Sequence, residues 1–243
     1  SSSPDFGIKG VLDRFTQIEP KVLFAANGYY YNGKKFDSLE KLNSILDQLP
    51  SVDHVVVTPY TDSNHDISSV KNGILWDNFI DSNPSPLKFE QLPFQHPLYI
   101  MYSSGTTGLP KSIVHGAGGT LIQHLKELRL HCNIYPEDTI FYFTTCGWMM
   151  WNWLVSNLAI GAAIVLYDGS PLQPNSNAMW DMVDELGITH FGTSAKYIDA
   201  CRQEGLSPIK THSLESMRTI FSTGSPLVEE SFDYVYNQIK KEI

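Results

Sequence analysis

Short apolar runs alternate with segments of helical period along most of the chain, and this alternation constrains the fold more than any other feature. Residues 22–25 (Val-Leu-Phe-Ala) read as a strand. Leu39, Leu42, Ile45, Leu46 and Leu49 then fall at helical spacing, and residues 54–57 (His-Val-Val-Val) return as a second strand. Two strands joined through a helix run parallel, because the crossover returns the chain to the end at which the first strand began. Asp37 with Glu40 reads as a capping box for that helix and Pro50 as its stop. An earlier helix carries Val11, Leu12, Phe15 and Ile18 and ends at Pro20.

The alternation breaks over residues 59–97. This stretch is first polar and then held extended by Pro84, Pro86, Pro93 and Pro97, with only residues 74–80 predicted helical. It resumes with a buried strand at 98–102, a helix carrying Leu121, Ile122, Leu125 and Leu128, a strand at 139–144 and a helix at 149–160. A strand at 162–167, a helix closed by Gly187, a strand at 188–191 and a helix capped by Ser194 and closed by Gly205 come next. The last pair is a strand at 217–221 and a helix opened by Ser225-Pro226, with Val228, Phe232, Val235 and Ile239 on one face. The pattern predicts an α/β fold, doubly wound, with mostly parallel sheets and flanking helices. Residues 1–97 are expected to form a βαβ-containing subdomain with a proline-rich connection, and residues 98–243 a second subdomain.

Seventeen Lys and Arg against 26 Asp and Glu give a net charge of −9. That balance argues against nucleic-acid and anionic-membrane partners, which call for a basic face. No stretch approaches the ~18 apolar residues of a spanning helix. The three cysteines (Cys132, Cys146 and Cys201) form no C-x-x-C pair and fit a reducing, cytosolic compartment. Nothing in the composition marks a protein partner.

Residues 102–111 carry the chemistry. In Tyr102-Ser103-Ser104-Gly105-Thr106-Thr107-Gly108-Leu109-Pro110-Lys111 an apolar strand feeds a loop with four hydroxyls, two glycines and a lysine. Small residues let backbone N–H groups approach an anion, hydroxyls add donors, and Lys111 adds a point charge. The spacing from Gly105 to Ser112 matches a Walker loop except at Pro110, which stands where the second glycine is required. A proline there removes a phosphate-facing N–H. The segment is therefore a phosphate loop of another kind.

The motif resembles the hydroxyl-rich S-S-G-T-T-G-x-P-K loop of the adenylate-forming enzymes, the superfamily of acyl-CoA synthetases, luciferases and peptide-synthetase adenylation domains. Within it, the chain is most similar to the ligases that join acetoacetate to coenzyme A. The likeness runs through Ser2-Ser3-Pro4-Asp5-Phe6-Gly7, Val11-Leu12-Asp13-Arg14-Phe15, Ile18-Glu19-Pro20-Lys21, His96-Pro97-Leu98-Tyr99-Ile100 and the run from Thr144 to Trp153. The resemblance implies that a carboxylate attacks the α-phosphate of ATP to give an acyl-adenylate and pyrophosphate, and that the thiol of coenzyme A then displaces AMP. It implies that Ser103, Ser104, Gly105, Thr106, Thr107, Gly108 and Lys111 hold the β- and γ-phosphates, with Lys111 and Thr107 stabilising the departing pyrophosphate. The attacking carboxylate is already ionised, so donors and positioning matter more than a base.

Two further segments are drawn in. Three tryptophans and two methionines lie within the six positions 148–153. On residue type alone they read equally as a buried aromatic helix face. The resemblance implies that Trp148 lines an acyl pocket with room only for a short chain, that Met149 and Met150 shape the rest, and that Trp151 and Trp153 are core. Phe221-Ser222-Thr223-Gly224-Ser225-Pro226 reads as a strand end and turn at the carboxyl edge of a parallel sheet, where ligands bind in such folds. The resemblance places Gly224, Ser225 and Pro226 along the adenine, and residues 191–196 beside the acyl pocket. His115, four residues past the loop, is a weaker candidate for substrate contact; His96 and Cys146 read as structural.

The resemblance also implies Mg²⁺, with acidic ligands outside residues 1–243, so no metal ligand is assigned here. The family's C-terminal domain, with its adenylation lysine, has no counterpart after Pro226. The chain is thus expected to be an internal portion of a longer ligase, inactive in isolation. A ligase for acetate or another short acid, and a truncated nucleotide-binding product without catalysis, remain the alternatives.

Overall fold

The computed structural model describes residues 2–3, 6–63, 66–103 and 108–243. Ser104, Gly105, Thr106 and Thr107 of the phosphate loop lie outside the described residues. The chain divides after Thr120 into two units.

The first unit opens with α1 (Ile8–Phe15), β1 (Val22–Ala26), β2 (Gly28–Tyr31), β3 (Lys34–Asp37), α2 (Leu39–Leu46) and β4 (His54–Thr58). β5 (Gly73–Leu75), α3 (Trp76–Phe79), β6 (Pro97–Tyr102) and β7 (Ser112–Gly116) follow. β1, β4 and β5 form a parallel sheet in that order, pairing Val22 with His54 and Val55 with Gly73. The expected parallel pairing of β1 with β4 is therefore present. Leu23, Ala25, Val55 and Val57 face α1 and α2 and pack with Val11, Leu42, Ile45 and Leu46. On the intervening positions Phe24 meets Trp76 and Phe79 edge to face, with centroids 6.3 and 5.5 Å away.

Several local expectations change. The expected capping box does not form: Asp37 accepts the Leu39 N–H at 2.8 Å, only two residues on, and the N-cap position is Ser38, whose side chain makes no capping bond. Residues 73–75 form a strand, leaving only one helical turn of the helix expected at 74–80. The strand at 98–102 is not buried. Leu98 is 53% exposed, and among the described residues the strand's only partner is β7, antiparallel to it and following it in sequence after the loop. The hairpin β2–β3 turns on Asn32 and Gly33, both with positive φ (49° and 74°), the conformation that a two-residue hairpin turn requires. The loop's hairpin groups with the first unit.

Helix α4 (Ala117–Lys126) spans the division and continues as a π-helical turn, Glu127–His131. The second unit then has β8 (Thr139–Tyr142), α5 (Met149–Ser156), β9 (Ala163–Val165), α6 (Ala178–Leu186) and β10 (His190–Ser194). It ends with α7 (Ala195–Gln203), α8 (Pro208–Thr211), β11 (Thr219–Thr223) and α9 (Glu229–Tyr234), which continues as a π-helical turn, Val235–Ile239. All strand pairs are parallel, in the order β9-β8-β10-β11. Side-chain alternation along β8 splits the core. Phe141 packs with Trp180, Phe191, Tyr197 and Tyr234 among α6, α7 and α9, while Ile140 and Tyr142 pack with Leu128, Trp153 and Leu154 beside α5. Helices on both faces make this sheet doubly wound, as expected.

Gly187 closes α6 at φ 62°, and Ser194 caps α7 by accepting the Tyr197 N–H at 3.2 Å. Gly192 lies under the Tyr142 ring, where an added Cβ would collide. The last helix begins at Glu229 rather than at Ser225-Pro226. Glu229 and Glu230 occupy its first turn, where the helix dipole favours negative charge.

Candidate functional site

β6 and β7 form the stalk of the phosphate loop. Tyr102 pairs with Ser112, and the next pair closes the neck: the Ser103 N–H donates to the Lys111 carbonyl at 3.0 Å, and the Lys111 N–H to Ser103 Oγ at 3.4 Å. Gly108 has φ 126° with open space where a Cβ would stand, which suits close backbone approach to a ligand. Lys111 is exposed, and among the described residues no carboxylate pairs with it. His115 lies across the stalk from Tyr99, with ring centroids 5.4 Å apart.

The other predicted segments leave one edge of the second unit's sheet. The order β9-β8-β10-β11 reverses direction between β8 and β10, since β8 connects outward to β9 and β10 outward to β11. Open α/β sheets bind ligands outside the carboxyl ends of strands at such a switch point. Residues 143–148 leave β8 there, Ser194 ends β10, and Gly224-Ser225-Pro226 leave β11. β8 and β11 flank β10, so the Trp148 and Gly224 segments start about 10 Å apart at the level of the sheet. The Phe143 N–H donates to the Gly192 carbonyl at 2.9 Å and the Tyr142 hydroxyl to the Thr193 carbonyl at 3.0 Å, fixing β8 against β10 at this edge. Burial pushes the Tyr142 phenol up to about 12, so it remains a neutral donor.

Trp148 is the N-cap residue of α5 and is 58% exposed, whereas Trp153 is 3% exposed. Trp153 packs edge to face on Tyr142 and Phe221 and donates its indole N–H to Glu127 Oε1 at 3.1 Å. Met149 is exposed, and Met150 packs against the core of Leu128, Tyr142 and Leu154. Gly224 takes φ 92°. Ser225 and Pro226 line a cavity of about 470 Å³ with Ser222, Arg218, Phe232 and Tyr236. A second, apolar cavity of about 430 Å³ lies among α1, β1 and α2 and is lined by none of the residues assigned to phosphate, adenine or acyl group.

Desolvation raises the thiol pKa of Cys146 and pushes those of Cys132 and Cys201 up to about 11, so all three are thiols rather than nucleophilic thiolates near neutrality. Among the described residues no three His, Cys, Asp or Glu side chains are grouped so as to hold a metal ion. Nor is any described helix long and apolar enough to cross a membrane.

Sequence motifs did not mark the contacts that hold the loop's neck. The Tyr102 hydroxyl donates to the Arg14 carbonyl at 2.9 Å, and Gln17 Nε2 donates to the Pro110 carbonyl at 2.8 Å. Both partners belong to the end of α1 and the turn after it, separated from the loop by 88 and 93 residues, a distance at which periodicity carries no signal.

Comparison with known proteins adds an independent line. The AMP-binding enzyme family matches residues 3–242. An acetoacetyl-CoA synthetase of Gallus gallus is 55% identical over 250 residues, covering 100% of this chain and 37% of the relative. An acetoacetyl-coenzyme A synthetase of Rhizobium meliloti (strain 1021) is 52% identical over 245 residues, with the same two shares of 100% and 37%. The solved acetoacetyl-CoA synthetase from Streptomyces lividans superimposes with a TM-score of 0.86 at 44% identity, covering 96% of this chain and 35% of that one. The chain thus spans about 37% of the length of the curated relatives it matches.

Proposed function

The chain belongs to the AMP-binding enzyme family, and from that premise we propose that it carries the phosphate loop and acyl pocket of a ligase joining acetoacetate to coenzyme A at the expense of ATP. The observation that carries the reading is whole-chain identity above 50% to acetoacetyl-CoA synthetases from a bird and a bacterium, joined to an intact S-S-G-T-T-G-x-P-K loop.

In this reading the acetoacetate carboxylate attacks the α-phosphorus of ATP. The new C–O–P linkage is the acyl-adenylate, and the bond to the β-phosphate breaks to release pyrophosphate. Negative charge grows on the leaving group, and the hydroxyls and N–H groups of residues 103–108 with the Lys111 ammonium answer it. Such donors act mainly by electrostatic stabilisation and by holding the phosphates in line. The sulfur of coenzyme A then attacks the acyl carbon, and AMP leaves. No side chain of this chain needs to act as a nucleophile, in keeping with cysteines held as thiols.

Gly224, Ser225 and Pro226 are assigned to the adenine, supported by their place at the carboxyl edge and by the cavity that Ser225 and Pro226 line. Trp148 with Met149 and Met150 is assigned to the acyl group, supported by an exposed indole at the switch-point edge. Mg²⁺ would neutralise the phosphates; the described residues offer no cage for it, and no step above depends on one.

The test is product analysis on the full-length protein with ATP, coenzyme A and a panel of short acids. AMP and pyrophosphate should form, fastest with acetoacetate. Formation of ADP would reject the ligase reading, and a preference for acetate would replace acetoacetate as the substrate.

A further inference from the structure

The neck of the phosphate loop is held on both of its strands by one helix end that lies outside the motif. Before the loop, the Tyr102 hydroxyl donates to the Arg14 carbonyl at 2.9 Å. Arg14 is itself fixed, its guanidinium donating to the Gly10 carbonyl at 2.6 Å and lying 4.8 Å from the Phe6 ring centroid and 5.9 Å from that of Tyr102. After the loop, Gln17 Nε2 donates to the Pro110 carbonyl at 2.8 Å and also to the Asp13 carbonyl at 2.6 Å, so the amide that holds the loop is anchored to α1.

We propose that Gln17 is a positioning residue for Lys111. This deepens the proposed function and rests on reading residues 103–111 as the phosphate loop. Pro110 has no N–H, so its carbonyl is the only backbone group through which the residue before Lys111 can be hydrogen-bonded. Gln17 takes that carbonyl, and Ser103 takes the carbonyl of Lys111 itself at 3.0 Å. The peptide planes on both sides of the lysine Cα are thereby fixed, while the ammonium stays exposed and without a carboxylate among the described residues. A lysine with a fixed root and an unpaired head suits an anion that arrives at one place. Releasing the Pro110 carbonyl leaves that peptide held only by the long Lys111 N–H bond to Ser103 Oγ at 3.4 Å, and the side chain magnifies any resulting rotation at Nζ. Misplacement by about 1 Å is enough to cost up to ~100-fold in rate.

The experiment compares Gln17→Met, which keeps length but loses the donor, with Gln17→Glu, which also adds charge, in the full-length protein. Both variants should lower kcat/KM for ATP by about tenfold or more while leaving KM for the acid and the melting temperature at the parent's values. Wild-type kcat/KM for ATP in Gln17→Met overturns the proposal, including the case in which Gln17→Glu alone is impaired, because the effect is then charge repulsion. A fall in melting temperature with kcat/KM for ATP unchanged also overturns it, since the contact is then merely structural. Failure of the underlying function would appear in the parent protein, as absence of AMP formation, and so is separable from failure in the variants.

Discussion

Trp148, Trp151 and Trp153 are indistinguishable by residue type, yet their environments separate them. Trp153 is sealed between Tyr142 and Phe221, while Trp148 stands 58% exposed at the head of α5, on the edge where the sheet reverses direction. A core tryptophan contributes stability; an exposed one at a ligand-binding edge can limit what fits beside it. Trp148→Gly should therefore raise kcat/KM for a six-carbon acid relative to acetoacetate by roughly tenfold or more, in line with the worth of added methylenes in a widened pocket. An unchanged chain-length profile in competing-substrate assays would return Trp148 to a structural role. The loop motif that marks the family was legible because its signature is local, with donors, glycines and a lysine inside ten positions. Gln17 and Arg14 were not, because what matters about them is a contact made across 93 and 88 residues, by a side-chain amide and a backbone carbonyl ordinary for a helix end.

Strands and helices of the second unit were readable from periodicity because its sheet is covered on both faces, so each element carries an apolar signature. The loop's own strand misled. The apolar run at 98–102 suggested burial, but β6 sits in a two-stranded hairpin with Leu98 largely exposed. Asn32-Gly33 is a strong hairpin signal, yet the tyrosine-rich strand before it lacks apolar alternation and the unit escaped the pattern. At the opposite end of the second sheet, the starts of β8, β10 and β11 are tied by polar contacts. Asp138 accepts from Arg218 and from the Tyr135 N–H at 2.8 Å, and His190 meets the Cys132 carbonyl through Nε2 at 3.2 Å. Burial lowers the pKa of His190, and Arg218 adds to this, outweighing the opposing pull of Asp138. Below about pH 6.5 the unfolded chain takes up a proton that the folded one resists. Stability should thus fall as pH drops from that value toward the lowered folded pKa. Urea unfolding of His190→Gln should give a shallower loss between pH 7 and 5 than the parent, by up to about 1.4 kcal/mol per pH unit. Equal slopes would show that His190 does not set this dependence.

At the scale of the molecule, a net charge of −9 sits beside a loop proposed to hold phosphates. The two are compatible because, in the proposed function, the anion is met by a few donors and Lys111 rather than by a basic surface. The loop belongs to the unit ending at Thr120, and the assigned acyl and adenine segments belong to the unit that follows. Family membership and the α/β architecture rest on nearly the whole chain, with 96% of it superimposing on a solved acetoacetyl-CoA synthetase. The central claim is that these residues serve acyl-adenylate formation, a step that is reversible and precedes any use of coenzyme A. Exchange of labelled pyrophosphate into ATP by the full-length protein, without coenzyme A, tests it most directly. Acetoacetate-dependent exchange, abolished or strongly slowed by Lys111→Ala with Thr107→Ala, is the predicted result; no acid-dependent exchange, or exchange indifferent to those substitutions, would contradict it.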